Sequence, residues 1–266
     1  MRQTHIILTL GRSGSNTLVD LLNQNPGILN FGEVLGEWNK IRKVYRRFGY
    51  LFDSDEIYLD AILEKRWLLV LANSHRSFVK LYKGQRSEIK RVGRIKTVGI
   101  KEFSLNLDRY GLSEYVRDRT DMKVIALTRS NLIERMISGE FLKATGVVSS
   151  QSKGTGNSLQ KLTIDPEAVV EKLVVFEQEA ARLDALIAEL DKRRVFRVDY
   201  SDLYGDSDHT IAITRSIFKF LGVDDIIPTV RMTKLAKPDP LASLQNGDDV
   251  RAVIEQTRFA AFLHQM

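Results

Sequence analysis

Five short apolar runs punctuate the chain, at Ile6 to Leu10, Ile28 to Phe31, Val98 to Phe103, Val124 to Leu127 and Val195 to Val198, and helical periodicities fill several of the intervals between them. Continuous apolar runs alternating with amphipathic stretches predict a parallel sheet covered on both faces, with functional groups at the carboxyl ends of its strands. The first helix is expected to bury Leu18, Leu21 and Leu22 and to stop at Asn23-Gln24-Asn25-Pro26, where proline cannot continue it. A second is expected over roughly Leu59 to Tyr82. The clearest begins with Asp165 as N-cap and Pro166 at the first helical position, and is expected to end near Lys192-Arg193-Arg194, whose charges suit a helix C-terminus. Its apolar residues Val169, Leu173, Phe176, Ala180, Leu183, Ile187 and Leu190 form one stripe, read as packing on the body of the protein, with a homodimer seam as the alternative. A further helix, about His209 to Leu221, closes at Gly222. The stretch Ala144 to Gln160 is rich in Ser, Gly and Thr and has no period; a flexible loop is expected at 144–160, either a surface connection or a lid. Residues 1–266 are read as one α/β domain.

Composition narrows the chemistry more than the fold. The chain has no cysteine, which removes disulfides, thiolate nucleophiles and Cys-based zinc sites, and its four histidines are scattered. No apolar run is long enough to span a membrane and no leader pattern opens the sequence, so a cytoplasmic location is expected. The net charge of +6 points to anionic partners. The excess falls in two clusters, Lys40, Arg42, Lys43, Arg46 and Arg47, then Lys80, Lys83, Arg86, Lys90, Arg91, Arg94 and Lys96, read mainly as solvated surface. Nucleic acid is a poor fit, because no helix-turn-helix or RNA-binding signature is present and aromatics are not interleaved as stacking platforms.

The most specific local signal is Gly11-Arg12-Ser13-Gly14-Ser15-Asn16-Thr17, launched by the first apolar run and followed at once by a helical pattern. A strand that turns through glycines into a helix presents backbone N–H groups and the positive end of the helix dipole to an anion. The loop is not the ATP-type version, which would need Lys where Asn16 stands and Gly where Leu10 stands. Its cation, Arg12, comes early in the turn, so a phosphorylated donor other than ATP is indicated. A second signal follows the fourth run: Thr128-Arg129-Ser130-Asn131-Leu132-Ile133-Glu134-Arg135-Met136-Ile137-Ser138. It places Arg129 at a strand tip, Asn131 as helix cap with Glu134 in a capping-box position, and Ser138 two turns into the helix. An Arg and a hydroxyl so placed can converge on a second phosphate.

Taken together these segments resemble the sulfotransferases that use 3′-phosphoadenosine 5′-phosphosulfate (PAPS). GRSGSNTLVDLLNQNPGILNFGE is similar to the 5′-phosphosulfate loop of the carbohydrate-type and bacterial members, and LTRSNLIERMIS to the 3′-phosphate segment. VDYSDLY is similar to the family's Tyr-Glu-Asp-Leu segment, with Ser201 in place of Glu, and SLQNGDDVRAVIEQTRFAAFL to the ending of many bacterial members. Arg129 and Ser138 stand nine positions apart where common members have eight, an offset that would let Arg135 participate as well.

The resemblance implies a P-loop-like three-layer α/β/α fold with a central parallel sheet. It implies transfer of a sulfuryl group from PAPS to an acceptor hydroxyl, less readily an amine, on a carbohydrate, glycoconjugate or other small molecule, leaving PAP, with no metal required. Gly11, Arg12, Ser13, Gly14, Ser15, Asn16 and Thr17 would hold the 5′-phosphosulfate, with Arg12 on the leaving phosphate, and Arg129 and Ser138 would hold the 3′-phosphate. The acceptor must lose a proton, for which Glu33 of Phe31-Gly32-Glu33 is the candidate base, with Glu37 and His75 as fallbacks. Lys101 of Val98-Gly99-Ile100-Lys101 resembles the family's Gly-x-Lys strand and is a candidate contact to donor or acceptor. The rival readings are a nucleotide-dependent phosphotransferase and a non-catalytic binder of anionic polymers.

Overall fold

All five apolar runs are strands of one parallel sheet. A computed structural model describes residues 2–37, 39–47, 54–70, 73, 90–146, 161–230 and 239–265. The far part of the expected second helix, the expected loop beyond 146, and His75, Lys80, Lys83 and Arg86 lie outside the described residues. The strands are β1 (Gln3–Thr9), β2 (Ile28–Asn30), β3 (Thr97–Phe103), β4 (Lys123–Thr128) and β5 (Val195–Asp199), in the order β2-β3-β1-β4-β5. Ile6, Ile7 and Leu8 on β1, Val98 and Ile100 on β3, and Val124 to Leu127 on β4 are fully buried, as strands covered on both faces require. The fold is a three-layer α/β/α architecture of the P-loop-like kind.

Helix α1 (Ser15–Gln24) leaves β1 through the glycine loop and ends where the Pro26 turn begins. Helices α2 (Lys40–Arg47) and α3 (Asp55–Glu64) lie between β2 and β3. The second helix starts four residues earlier than the apolar pattern suggests, because the Ser54 hydroxyl accepts the Ile57 amide and caps it; α3 ends at Glu64, and after Lys65 the chain is helical again over 66–70, within the expected span. Short helices α4 (Ser104–Arg109) and α5 (Ser113–Asp118) separate β3 from β4, and α6 (Leu132–Thr145) follows β4.

Helix α7 (Pro166–Ala188) begins with the Asp165 cap as expected but stops before Lys192-Arg193-Arg194, which form a separate 3-10 turn capped by Asp191. The reason is local: Asp191 accepts the Arg193 amide, and the buried Arg194 guanidinium bonds the carbonyls of Val116, Arg117, Arg119 and Met122. The α7 stripe packs inside the chain. Leu183, Ile187 and Leu190 join the cluster under β1, β3 and β4, while Val169 and Leu173 pack with α6 and the C-terminal helix α10 (Gly247–Glu255). After β5 come α8 (Tyr200–Tyr204) and α9 (Ser207–Phe220), the latter closed by Gly222 at φ 68°. No helix among the described residues is long and apolar enough to cross a membrane.

Connections from β1 lead to one side of the sheet, through β2 and back to β3, and the chain then passes to β4 on the other side. The strand order switches there, and in open α/β sheets the crevice beyond the carboxyl ends at such a switch is where ligands bind.

Candidate functional site

The loop after β1 is shaped by two constraints on its backbone. Arg12 adopts φ 67°, the left-handed region that costs a side-chain-bearing residue energy, and Gly14 adopts φ 75° immediately before α1. A Cβ on Gly14 would also lie 2.6 Å from Cε2 of Tyr204 and 3.0 Å from Cδ2 of Tyr200. These two rings, stacked with centroids 4.5 Å apart on α8, form the floor of the loop, and the Tyr204 hydroxyl bonds Thr17 Oγ1. Burial pushes the Tyr200 hydroxyl up to about 12 and raises that of Tyr204, so both stay protonated. No side chain caps α1 and no acidic residue sits in its first turn, so its N-terminus keeps its positive potential.

Cations converge on this loop from α6 and from the tip of β4. Buried Arg129 donates from Nη1 to the Arg12 carbonyl at 3.0 Å and from Nη2 to Glu134 Oε2 at 2.9 Å, and its guanidinium lies 3.9 Å over the Tyr200 ring. It is a buried strut, not a surface ion pair. Arg12 donates from Nε to Ser138 Oγ at 3.0 Å, which joins the two segments that the sequence singled out. Burial and the neighbouring Arg129 charge lower the Arg12 pKa, the signature of cations crowded together. Two buried polar atoms here, Ser13 Oγ and Arg129 Nε, have no hydrogen-bond partner. Orphaned donors beside an uncapped helix end fit an anionic ligand.

Asn131 caps α6 by accepting the Glu134 amide at 3.0 Å, and the Glu134 carboxylate serves Arg129. Arg135 is held elsewhere: it bonds the Gly11 carbonyl at 2.9 Å, pairs with Glu179 and lies 4.3 Å over Phe176, so it braces the loop from behind. Asp199, at the end of β5, accepts from the Ser130 amide and hydroxyl at 2.9 and 2.5 Å and from the Ser201 amide and hydroxyl. Burial acts to raise its pKa, but those bonds outweigh it and hold the carboxyl below the usual range. Ser201 thus belongs to the capping of α8.

On the other side of β1 lies a carboxylate–ammonium pair. Lys101 and Glu33 form an ion pair, the ammonium buried and the carboxylate mostly so, with Lys101 Nζ 4.5 Å over the Phe103 ring. Adjacent strands bring them together: the Lys101 amide donates to the Gly32 carbonyl at 3.0 Å as the chain leaves β2, and Gly32 turns the backbone at φ 71°. Glu37 is exposed, with its nearest ion-pair partner Arg109 at 3.9 Å, and does not join this pair.

Sequence reasoning missed four residues that support this corner. Glu102, wholly buried, accepts the Val34 and Leu35 amides at 2.5 and 2.7 Å. Buried His5 and Asn30 link β1, β2 and β3. The Asn30 amide donates to His5 Nε2 at 3.1 Å, which leaves the proton on Nδ1, 2.9 Å from Thr97 Oγ1, and Asn30 Oδ1 accepts the Gly32 amide at 2.9 Å. A polar residue inside an apolar run was the available signal for Asn30. Arg42, expected at the surface, is instead buried, bonding the Leu35 carbonyl, pairing with Asp55 at 2.7 Å and lying 3.9 Å over Tyr110.

No family model matches the chain, and no curated protein matches it. Solved structures do match. A sulfotransferase from Alicyclobacillus acidocaldarius is 16% identical with a TM-score of 0.46, covering 98% of this chain and 99% of that one. The sulfotransferase domain from the curacin biosynthetic pathway is 18% identical with a TM-score of 0.45, covering 99% of this chain and 83% of that one. A sulfotransferase from Mycobacterium avium is 12% identical with a TM-score of 0.44, covering 100% of this chain and 77% of that one. All three are sulfotransferases, at identities and TM-scores that leave fold and chemistry to rest on this chain's own residues.

Proposed function

We propose that this protein is a sulfotransferase that moves a sulfuryl group from PAPS to an acceptor hydroxyl, with PAP as the other product. The observation that carries the reading is the convergence of Arg12, Arg129 and Ser138 on the uncapped N-terminus of α1, with the Lys101–Glu33 pair on the strands across β1. Gly11 through Thr17 cradle the 5′-phosphosulfate, using the amides that open α1 and the short hydroxyls of Ser13, Ser15 and Thr17, with the Asn16 amide beside them. The 3′-phosphate falls to Arg129 and Ser138.

The reaction is an in-line displacement. The acceptor oxygen attacks sulfur, the bond from sulfur to the 5′-phosphate oxygen breaks, and its electrons remain on PAP. Arg12 is the cation placed to neutralise that charge, and removing one such preorganised donor costs on the order of 100-fold in turnover. Glu33 accepts the acceptor proton, and Lys101 orients the carboxylate and adds positive potential near the moving sulfuryl group. Positive charge for the transfer comes from Arg12, Arg129 and Lys101. The acceptor is proposed to be a carbohydrate or another small hydroxyl compound, on the resemblance of the Arg-Ser-Gly-Ser and Asn-Gln-Asn-Pro segments alone.

The test is transfer of ³⁵S from labelled PAPS to a panel of sugars, glycolipids and small alcohols, by the wild type and by Glu33→Gln. Turnover that falls about 100-fold in the variant while PAP affinity stays within about twofold supports the base assignment. Wild-type turnover in Glu33→Gln removes Glu33 from that role, and tight binding of ATP with Mg²⁺ but not PAP transfers the site to phosphoryl chemistry.

A further inference from the structure

Glu33 would be an ordinary loop carboxylate were it not for the segment that follows it. Residues 33 to 35 belong to no helix or strand, yet their backbone groups are bonded by side chains from four directions. The Glu33 carbonyl accepts from Asn39 Nδ2 at 2.9 Å, and the Val34 carbonyl from the Tyr58 hydroxyl at 3.2 Å. The Leu35 carbonyl accepts from Arg42. The Val34 and Leu35 amides both donate to one oxygen, Glu102 Oε1, and Asn106 donates to the other at 3.2 Å.

We infer that Glu102 is a positioning residue for Glu33: by gripping the two amides next after it, the buried carboxylate fixes the segment and holds the Glu33 side chain against Lys101. The inference rests on the reading of Glu33 as the base. Glu102 is the neighbour of Lys101 on β3, and alternation along a strand sends their side chains to opposite faces. One strand thereby grips the Glu33 loop twice, by the Lys101 ammonium on the carboxylate and by the Glu102 carboxylate on the amides beyond it. A buried carboxylate is costly unless its lone pairs are filled, and here three donors fill them. Burial raises the Glu102 pKa, the Leu35 and Val34 amides oppose that rise, and the nearby Glu33 charge adds to it. The role does not require a charge: an amide oxygen in the same place would accept both bonds.

That distinction supplies the test. In Glu102→Gln, Oε1 still receives both amides, whereas Glu102→Met keeps the volume and loses the acceptor. Backbone amide exchange at Val34 and Leu35, PAP affinity, and PAP release from PAPS with the best acceptor are measured for both variants and the wild type. Glu102→Gln is expected to keep slow exchange and turnover within about threefold of wild type. Glu102→Met is expected to speed exchange at both amides and lower kcat about 100-fold, with PAP affinity unchanged, as a misplaced reacting group does. If Glu102→Met does not fold, the double variant Asn39→Ala, Tyr58→Phe loosens the same segment from its carbonyls and is expected to show the same split. Fast exchange with wild-type kcat, or equal loss in Glu102→Gln and Glu102→Met, overturns the inference. A wild type that turns over no PAPS defeats the transfer reading instead, while the exchange rates still decide whether Glu102 holds the segment.

Discussion

Replacing His5 by Gln should remove most of the protein's sensitivity to mild acid. His5 is fully buried, its Nε2 faces the N–H of Asn30, and a Cβ on Gly99 would collide with its ring, so an added proton has no acceptor and no room to find one. Burial pushes its pKa down from 6.5 to about 3. Between those values the unfolded chain binds a proton that the folded chain refuses, so stability is complete above the unfolded value and is lost as pH falls, by about 1.4 kcal/mol per pH unit. From about pH 7.5 to about pH 5 the loss from this one residue is about 2 kcal/mol, or roughly 4–8 °C in melting temperature for a chain of this size. Glu102 acts in the opposite sense. Its raised pKa means that the folded state holds the proton more tightly, so its contribution weakens as pH rises through the window just above the ordinary carboxyl value. The comparison that isolates His5 is therefore the difference between wild type and His5→Gln in urea unfolding across this range, since Glu102 is common to both. A difference that stays constant with pH would refute the reasoning, as would a wild type whose difference from the variant grows toward neutral pH in the wrong sense, with the wild type losing ground as pH rises.

Arg12→Gly should fold more stably than Arg12→Ala by about 1 kcal/mol, because φ 67° is free for glycine and strained for alanine, while both lose PAP binding; chemical denaturation and calorimetry check the two halves. Gly14→Val should cost several kcal/mol or prevent folding, since its Cβ meets Tyr204 at 2.6 Å in a left-handed backbone, and the melting temperature reads it directly. Arg129→Ala should lower stability by about 3–5 kcal/mol as well as binding, because it removes one partner of the buried Arg129–Glu134 ion pair; the double variant Arg129→Met, Glu134→Gln should regain much of the stability without regaining PAP affinity.

The sheet was legible in the chain because each strand is covered on both faces and must be continuously apolar, which is why Ile6 to Leu10 and Val124 to Leu127 announce themselves. The turn after β1 was legible for a different reason: glycines between an apolar run and a helical pattern announce the strand-to-helix turn that the structure shows, with Gly14 at φ 75°. What stayed hidden was depth. Nothing in a one-dimensional pattern says that Arg42, set among other cations, is buried against the Tyr110 ring while Lys43, Arg46 and Arg47 are exposed. Nor does it say that Glu102, on a strand beside Lys101, spends its carboxylate on the Val34 and Leu35 amides of a loop far off in sequence. The end of α7 was overrun because Arg194 reads as a favourable C-terminal charge, whereas the fold uses it to bond four carbonyls beneath α5. Each of these misses concerns a charged residue that bonds backbone groups among its partners, and backbone leaves no trace in composition.

The central claim is that the loop after β1, with Arg12, seats the 5′-phosphate of a nucleotide whose 3′-phosphate sits on Arg129 and Ser138. Calorimetric titration with PAP, adenosine 5′-phosphate and ATP with Mg²⁺, on wild type and Arg12→Ala, tests it most directly. We predict that PAP binds tightly enough to raise the melting temperature by roughly 5–10 °C at about 100 times its Kd, that adenosine 5′-phosphate binds at least about tenfold more weakly, and that Arg12→Ala abolishes the shift. No heat and no shift with PAP, or equal affinity for PAP and adenosine 5′-phosphate, would contradict it.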